Sequence, residues 1–378
     1  MAFNVQVILD ELASVASQCL HDMDLENPYH LIQALGNGGY GSVLMVKEKT
    51  TGQPMAMKLL NRNKTTESSF LRELSMAFFL SSHPNIVDIY GVGVKTCNYF
   101  GYTQELATHG DLFDLIPPNE GLPEEIVKRC ATQISSALDF MESEGLVHLD
   151  IKPENILVFD KDCHLIKITD FGLTRVKGTI TTRWSGTKSY MAPEMRNVTD
   201  ENPLVIDSSL DAWSFGVVLY YLLTGTYPWQ SVDKNDQEYY NFVGWQKDLG
   251  RMDPPAPWRR FPPVVLTMLC GLLAIDYNRR SKCTEVLMFL EQCWKDRFSE
   301  NNGADDMNKN LSEQSCPASI PHMSDSTTSN LGVNSFYLKT GSSNGEKPPH
   351  HQTDIVQYPS MFIDDEISVY VGAEVEIG

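Results

Sequence analysis

Apolar positions along the chain follow two rhythms, and the place where one gives way to the other predicts the organisation of the protein. Between Val5 and Met23, the residues Val5, Ile8, Leu9, Leu12, Val15, Ala16 and Leu20 recur at helical spacing, which predicts a helix with one apolar face ahead of Pro28. Such a helix either docks on the domain that follows or offers its face to a partner. From Tyr29 to Met57 the rhythm is that of strands. Leu31 to Leu35 and Val43 to Val46 flank a glycine-rich string, as the arms of a hairpin flank its loop, and Ala56-Met57-Lys58 reads as a short strand ending at Lys58. Ser69 to Leu80 returns to helical spacing, with Phe70, Leu74 and Ala77 facing inward, and two strands follow His83-Pro84-Asn85. Beyond residue 105 helices dominate. Pro123 to Glu142 aligns Ile126, Cys130, Ile134, Leu138 and Met141 on one face, and the helix opened by Asp211-Ala212-Trp213 is apolar almost throughout. The strand pair Ile156 to Val158 and Leu165 to Ile168 lies between them. The pattern is α+β, with a small strand-rich part preceding a larger helical part.

Composition narrows what such a molecule does. A length of 378 residues suits two domains or one bilobed unit with tails. A formal net charge of -19 argues against a nucleic-acid surface, which needs clustered Lys and Arg, and limits attraction to anionic membranes. The 8 cysteines are scattered, without a Cys-x-x-Cys pair, and read as reduced thiols of a cytoplasmic or nuclear protein. Asp10, Glu11 and Asp22 come early and no basic segment precedes an apolar run, so no secretory signal is expected. No apolar stretch reaches bilayer length, so membrane insertion is not expected either.

The chemistry-bearing strings appear in a fixed order. Leu35-Gly36-Asn37-Gly38-Gly39-Tyr40-Gly41-Ser42-Val43 contains Gly-x-Gly-x-x-Gly, whose backbone N–H groups can approach phosphate oxygens. By itself this string also marks dinucleotide folds and tight turns. A dinucleotide site calls for a helix directly after the third glycine, whereas Val43 to Val46 reads as a strand. Lys58 follows at a distance suited to reaching phosphates, with Glu73 as its expected partner in preference to Glu67, whose place is the helix start. His148-Leu149-Asp150-Ile151-Lys152-Pro153-Glu154-Asn155, Asp170-Phe171-Gly172, Ala192-Pro193-Glu194, Asp211 and Arg280 complete the series. In this order and spacing, residues 29 to 296 resemble a eukaryotic protein kinase. Lys152, with Thr187 in Gly186-Thr187-Lys188, resembles the serine/threonine type. The Gly-Gly-Tyr-Gly-Ser-Val loop and Thr174-Arg175 are similar to those of the Src-homology-3-binding-domain kinase group.

That resemblance implies a bilobal fold: an N-lobe of about 29–105, mainly β with one key helix, and a mainly helical C-lobe of about 106–298. An N-terminal helical extension, 1–28, precedes it, and an acidic tail, 299–378, follows. It implies transfer of the γ-phosphate of ATP to Ser or Thr hydroxyls of a protein substrate. Asp150 would accept the hydroxyl proton, Lys152 would offset charge on the moving phosphoryl, and Thr187 would support both. Asn155 and Asp170 would hold Mg2+. The nucleotide would lie against residues 35–41, Val43, Ala56 and Lys58, with Glu73 steadying Lys58, backbone groups of Glu105 and Ala107 meeting the adenine edge, and Gln104 behind. Glu194 would pair with Arg280, and Asp211 would anchor the catalytic-loop backbone.

Leu149 stands where most such enzymes carry Arg, so no guanidinium from that position can bind a phosphate on the activation segment. The segment is therefore expected to order without phosphate, although Thr179, Thr181, Thr182 and Ser185 are available. Arg251-Met252-Asp253-Pro254-Pro255-Ala256-Pro257 fits the outline of a Src-homology-3 ligand and equally that of a proline-shaped loop. Residues 299–360 are rich in Ser, Asn, Gly, Thr and Asp and are expected to be disordered; His350-His351 is expected to be solvated, and 362–377 to be an uncommitted tail or an added strand. A pseudokinase scaffold is the competing class, and a small-molecule kinase the third.

Overall fold

The computed structural model describes residues 5–38, 41–183, 186–248 and 251–295. Gly39, Tyr40, Ser185 and the tail from residue 296, with His350 and His351, lie outside the described residues.

The first rhythm forms α1, Val5–Cys19, which packs against the helix Glu67–Leu80 and the strand Ile89–Lys95 of the next lobe. Its single fully buried side chain is Leu9, and Val5, Ala13, Ala16 and Leu20 pack beside it. Val15 does not share that face and is 57% exposed. Ala13 takes the inner position instead, because at 3.6 residues per turn Val5, Leu9, Ala13, Ala16 and Leu20 share one stripe that Val15 falls outside. The docked reading of this helix is the one the structure takes. Residues after α1 continue onto the same lobe: the Met23 N–H donates to the Lys95 carbonyl at 2.8 Å, and Leu25 joins Tyr29 against Val46, Met55, Met57 and Leu59.

Five strands, β1 Tyr29–Asn37, β2 Gly41–Glu48, β3 Pro54–Asn61, β4 Ile89–Lys95 and β5 Tyr99–Gln104, form one antiparallel sheet in the order β1-β2-β3-β5-β4. Lys58 sits inside β3 rather than at its end, because Leu59 and Leu60 beyond it are also core residues that prolong the strand. Gly41 pairs with Leu60, and a Cβ at Gly41 would stand 1.8 Å from the Leu59 carbonyl oxygen, so only glycine fits. The helix α2, Glu67–Leu80, starts at Thr66, whose hydroxyl accepts from the Ser69 N–H. Phe70, Leu71, Leu74, Ala77 and Leu80 are buried, and Glu73 lies among them.

The second lobe is built on α3, Glu124–Ser143, and α4, Ser209–Thr224. α3 buries one stripe, whereas α4 is buried from Leu210 to Thr224, as a central core helix must be. α5, Gln237–Lys247, and α6, Pro263–Leu272, complete it, with Trp213, Trp229 and Trp258 in its aromatic core. Short strands carry the functional loops: β6 Leu146–Val147, β7 Ile156–Val158, β8 Ile166–Ile168, β9 Arg175–Val176, β10 Ile180–Thr181 and β11 Leu204–Val205. β6 pairs with β9, β7 with β8, and β10 with β11. The architecture is a mixed α+β, bilobal one. In the string 251–257, Pro255 is extended, but Ala256–Trp258 forms a 3-10 turn whose Trp258 is buried, so the extended conformation stops within the string.

Candidate active site

The cleft between the lobes collects the side chains that the sequence singled out. Lys58 Nζ lies 2.7 Å from Glu73 Oε1 and 2.9 Å from Asp170 Oδ1, so one ammonium joins β3, α2 and the segment after β8. Burial alone would lower the Lys58 pKa; the carboxylate of Glu73 and then the charge of Asp170 outweigh it, and the ammonium is held well above its usual range. Asp170 shows the converse: burial would raise its pKa, but Lys58 wins and brings it down to about 2. Glu67 is used elsewhere and meets Lys95 at 3.3 Å.

Tyr102 is a member of this cluster that the sequence reading missed. Its buried hydroxyl donates to Glu73 Oε1 at 3.0 Å, and it faces Lys58 across the β3–β5 ladder. The signal was the register of two strands distant in sequence, which periodicity does not supply. Gly172 completes the packing, because a Cβ there would come within 2.9 Å of Glu73 Oε2.

The loop after β6 is fixed from below. Asp211, at the start of α4, accepts the His148 N–H at 2.7 Å and the Leu149 N–H at 2.8 Å. Burial raises its pKa, against the pull of His148 and these two amides. Leu149 has φ 70° and Asp170 φ 68°, both in the left-handed region, so the backbone is strained in two segments of this cleft. The Leu149 side chain is buried, 5% exposed, and turns into the core. His148 Nδ1 accepts the Asp150 N–H at 3.2 Å, its Nε2 meets the Thr169 carbonyl at 3.2 Å, and its ring lies edge-on to Phe171.

Above this base, Lys152 Nζ stands 2.8 Å from Asp150 Oδ2 and 3.5 Å from Thr187 Oγ1. Asn155 Nδ2 donates to the Asp150 carbonyl at 2.8 Å and to its Oδ2 at 2.9 Å. Both donor hydrogens of Asn155 are thereby directed at Asp150, which leaves its Oδ1 as the free end of the amide. Hard divalent cations take oxygen ligands of this kind. At the junction of the lobes, Gln104 is buried and, among the described residues, its Oε1 accepts no hydrogen bond. The Glu105 N–H is used by the Asp88 carbonyl at 3.0 Å, and its carboxylate by Lys167. Of the expected nucleotide-contacting residues, Leu35, Gly36, Asn37, Gly38, Gly41, Val43 and Ala56 lie on β1, the turn and β2–β3, and Gly39 and Tyr40 fall outside the described residues.

Further from the cleft, the Arg280 guanidinium pairs bidentately with Glu194, at 2.7 and 3.1 Å, and donates to the Ala274 and Ser209 carbonyls. It also lies over the Trp213 ring, 5.1 Å from its centroid. Within the activation segment, β9 pairs with β6 and β10 with β11, and Lys177 meets Glu142 at 2.9 Å and Asp207 at 3.4 Å.

A lysine–glutamate pair in a β-sheet lobe, an Asp-Asn loop in a helical lobe, and an anchored segment between them define a phosphotransferase cleft of the kinase type. A family model of the protein kinase domain matches residues 29–290, and the chain belongs to the protein kinase family. It is 40% identical over 339 residues to the serine/threonine-protein kinase SBK1 of Danio rerio, spanning 89% of this chain and 87% of that one. It is 42% identical over 288 residues to SBK1 of Mus musculus, spanning 76% and 69%. With the serine/threonine-protein kinase meng-po of Drosophila melanogaster, identity is 34% over 285 residues, spanning 75% and 62%. The chain is a protein kinase of the serine/threonine type, and a pseudokinase reading finds no support.

Proposed function

We propose that this kinase transfers the γ-phosphate of ATP to a Ser or Thr hydroxyl of a protein substrate, with Asp150 as the base. The observation that carries this reading is the hydrogen bonding around Asp150: Lys152 and Asn155 both direct their donors at its Oδ2, which fixes the carboxylate in one orientation. Its Oδ1 is then the oxygen that accepts the substrate proton. Lys152 offsets charge as the phosphoryl group moves, and its second neighbour Thr187 limits its swing. Lys58, steadied by Glu73 and Tyr102, positions the nucleotide phosphates below the glycine-rich turn. Asn155 Oδ1 and Asp170 are the ligands for Mg2+, which supplies charge neutralisation on the phosphates when bound. Among the described residues, the Glu105 carbonyl and Ala107 N–H have no hydrogen-bond partner, and they fit the adenine edge, with Gln104 behind it.

The domain limits proposed are 1–28 for the extension, 29–298 for the kinase domain and 299–378 for the tail. The cytoplasm is the proposed compartment, on the strength of seven free cysteines among the described residues. No described helix is long and apolar enough to cross a membrane. A Src-homology-3 partner for 251–257 rests on the exposure of Arg251 and Met252 and the extended backbone at Pro255. Isothermal titration of the full chain with such a domain tests that contact. The activity itself is tested by magnesium-dependent transfer of labelled phosphate to a panel of proteins. Label on serine or threonine that disappears in Asp150→Asn is the expected result; equal labelling by both proteins would overturn the assignment of the base.

A further inference from the structure

In the interior of the helical lobe, α3 and the turn between β7 and β8 bring two cysteines together. Cys130 lies on the buried stripe of α3 and Cys163 in the turn, both buried and both free. Hydrogen bonding between the two side chains brings the Cys163 thiol below its usual range, against burial and the charges of Asp160 and Asp162; the same contact, with burial added, raises that of Cys130. The surrounding hydrogen bonds keep the pair in register. Arg129 Nε donates to the Asp162 carbonyl at 2.8 Å, Gln133 Nε2 to the Cys163 carbonyl at 2.8 Å, and Gln133 Oε1 accepts the Ile166 N–H at 2.9 Å, so α3 grips the turn on both sides of Cys130. From within the turn, the Asp160 carboxylate accepts the N–H groups of Asp162, His164 and Leu165. Cys163 takes φ 54°, where glycine sits without strain and a side chain does not, so the thiol is carried at a conformational cost that the turn itself does not require. Lys161, Asp162, His164 and Leu165 are exposed, which puts this buried thiol one residue from solvent.

We propose that Cys130 and Cys163 are a redox pair that hydrogen peroxide closes to an intramolecular disulfide, stapling α3 to the β7–β8 hairpin. A disulfide needs two side chains that approach each other on fixed backbone. The contact of the thiols and the grip of Arg129 and Gln133 supply both. In the first step the Cys163 thiolate attacks one oxygen of the peroxide, the O–O bond breaks, and hydroxide leaves with the thiol proton as water; Cys163 is then a sulfenic acid. In the second, Cys130 loses its proton as its sulfur attacks that of Cys163, the S–O bond breaks, and hydroxide leaves with that proton as a second water. Two thiols are oxidised to one disulfide, and one peroxide is reduced to two waters. The hairpin so held begins at the residue after Asn155 and leads into Asp170, and the Asn155 carbonyl accepts the Thr169 N–H at 3.0 Å. The staple closes the loop between residues 130 and 163, restricting the unfolded chain while the elements it joins stay where they are.

The test exposes the reduced full chain to hydrogen peroxide, stops the reaction with catalase, alkylates the remaining thiols under denaturing conditions and maps the peptides. A link between the peptides of Cys130 and Cys163, reversed by dithiothreitol, is expected, together with an unfolding temperature about 5–10 °C above that of the reduced chain. Cys163→Gly, which suits φ 54°, should remain folded and lose both the link and the shift. In Cys130→Ala, oxidation should stop at the sulfenic acid, trapped by dimedone on Cys163. Cys19, Cys97 and Cys293 are exposed and report that oxidant was delivered. Their oxidation with Cys130 and Cys163 both still alkylated, or an equal temperature shift in wild type and Cys163→Gly, would overturn the pair.

Discussion

Two buried ion pairs in this kinase are built to opposite ends. Arg280 and Glu194 form a closed set: the guanidinium side chain is 0% exposed, its hydrogen bonds go to Glu194 and to two carbonyls, and a Trp213 ring covers it. Lys58 and Glu73 form an open one, because the ammonium is shared between Glu73 and Asp170, which lie on separate elements. A buried charge with every hydrogen bond satisfied holds a fold in one arrangement. A buried charge shared between two carboxylates couples the positions of the elements that carry them. On the proposed function, the first pair is scaffold and the second belongs to the site.

The sharpest way to break this division is to change the cleft without touching the scaffold. Asp150→Asn should lower turnover about a hundredfold to ten-thousandfold, the range for loss of a positioned base, while the unfolding temperature stays near that of wild type. Steady-state kinetics with calorimetry on the same preparation checks both halves. The reverse case is Arg280→Gln, which leaves Glu194 buried without its cation and should cost about 3–5 kcal/mol of stability in denaturant unfolding. Tyr102→Phe sharpens the account of Lys58, since it deletes one hydroxyl donor to Glu73 and leaves the ring in place. A loss of about 1 kcal/mol, or about fivefold in turnover, is expected at unchanged fold.

The smallest effect concerns pH. Glu142 and Asp207 are each subject to burial, which would raise their pKa values, but their hydrogen bonds and Lys177 bring both below the usual carboxyl range. Their contribution is fully present above the unfolded carboxyl values and is lost as pH falls through the depressed ones. Lys177, burial notwithstanding, is raised by the same partners, so its contribution is present below its unfolded value and lost only in strong alkali. Protection of residues 175–181, the exchange rate relative to that of the unfolded chain at the same pH, should therefore be flat from about pH 5 to 9 and fall on acidification, and Lys177→Met should remove that dependence.

The two pairs were not equally legible in the sequence. Glu194 and Arg280 lie 86 positions apart, yet each belongs to a short string with its own signature. Glu73 was legible through helix periodicity, since Phe70, Leu74 and Ala77 orient its face, and the same reasoning set Glu67 aside. Tyr102 was not legible, because its meeting with Glu73 depends on the β3–β5 register. Lys58 was read as a strand end because the local pattern did not reveal that Leu59 and Leu60 continue into the core. Val15 was assigned to the packed face of α1 by a loose spacing, whereas the packed stripe runs through Leu9, Ala13, Ala16 and Leu20 and leaves Val15 outside it.

The division between open and closed ion pairs is tested most directly by one matched comparison, Glu73→Gln against Glu194→Gln, each measured for turnover and for unfolding free energy. Loss of turnover with little loss of stability in the first, and loss of stability in the second by several times the amount seen in the first, is the predicted result. Equal destabilisation by both, with turnover falling only in proportion to the folded fraction, would contradict it.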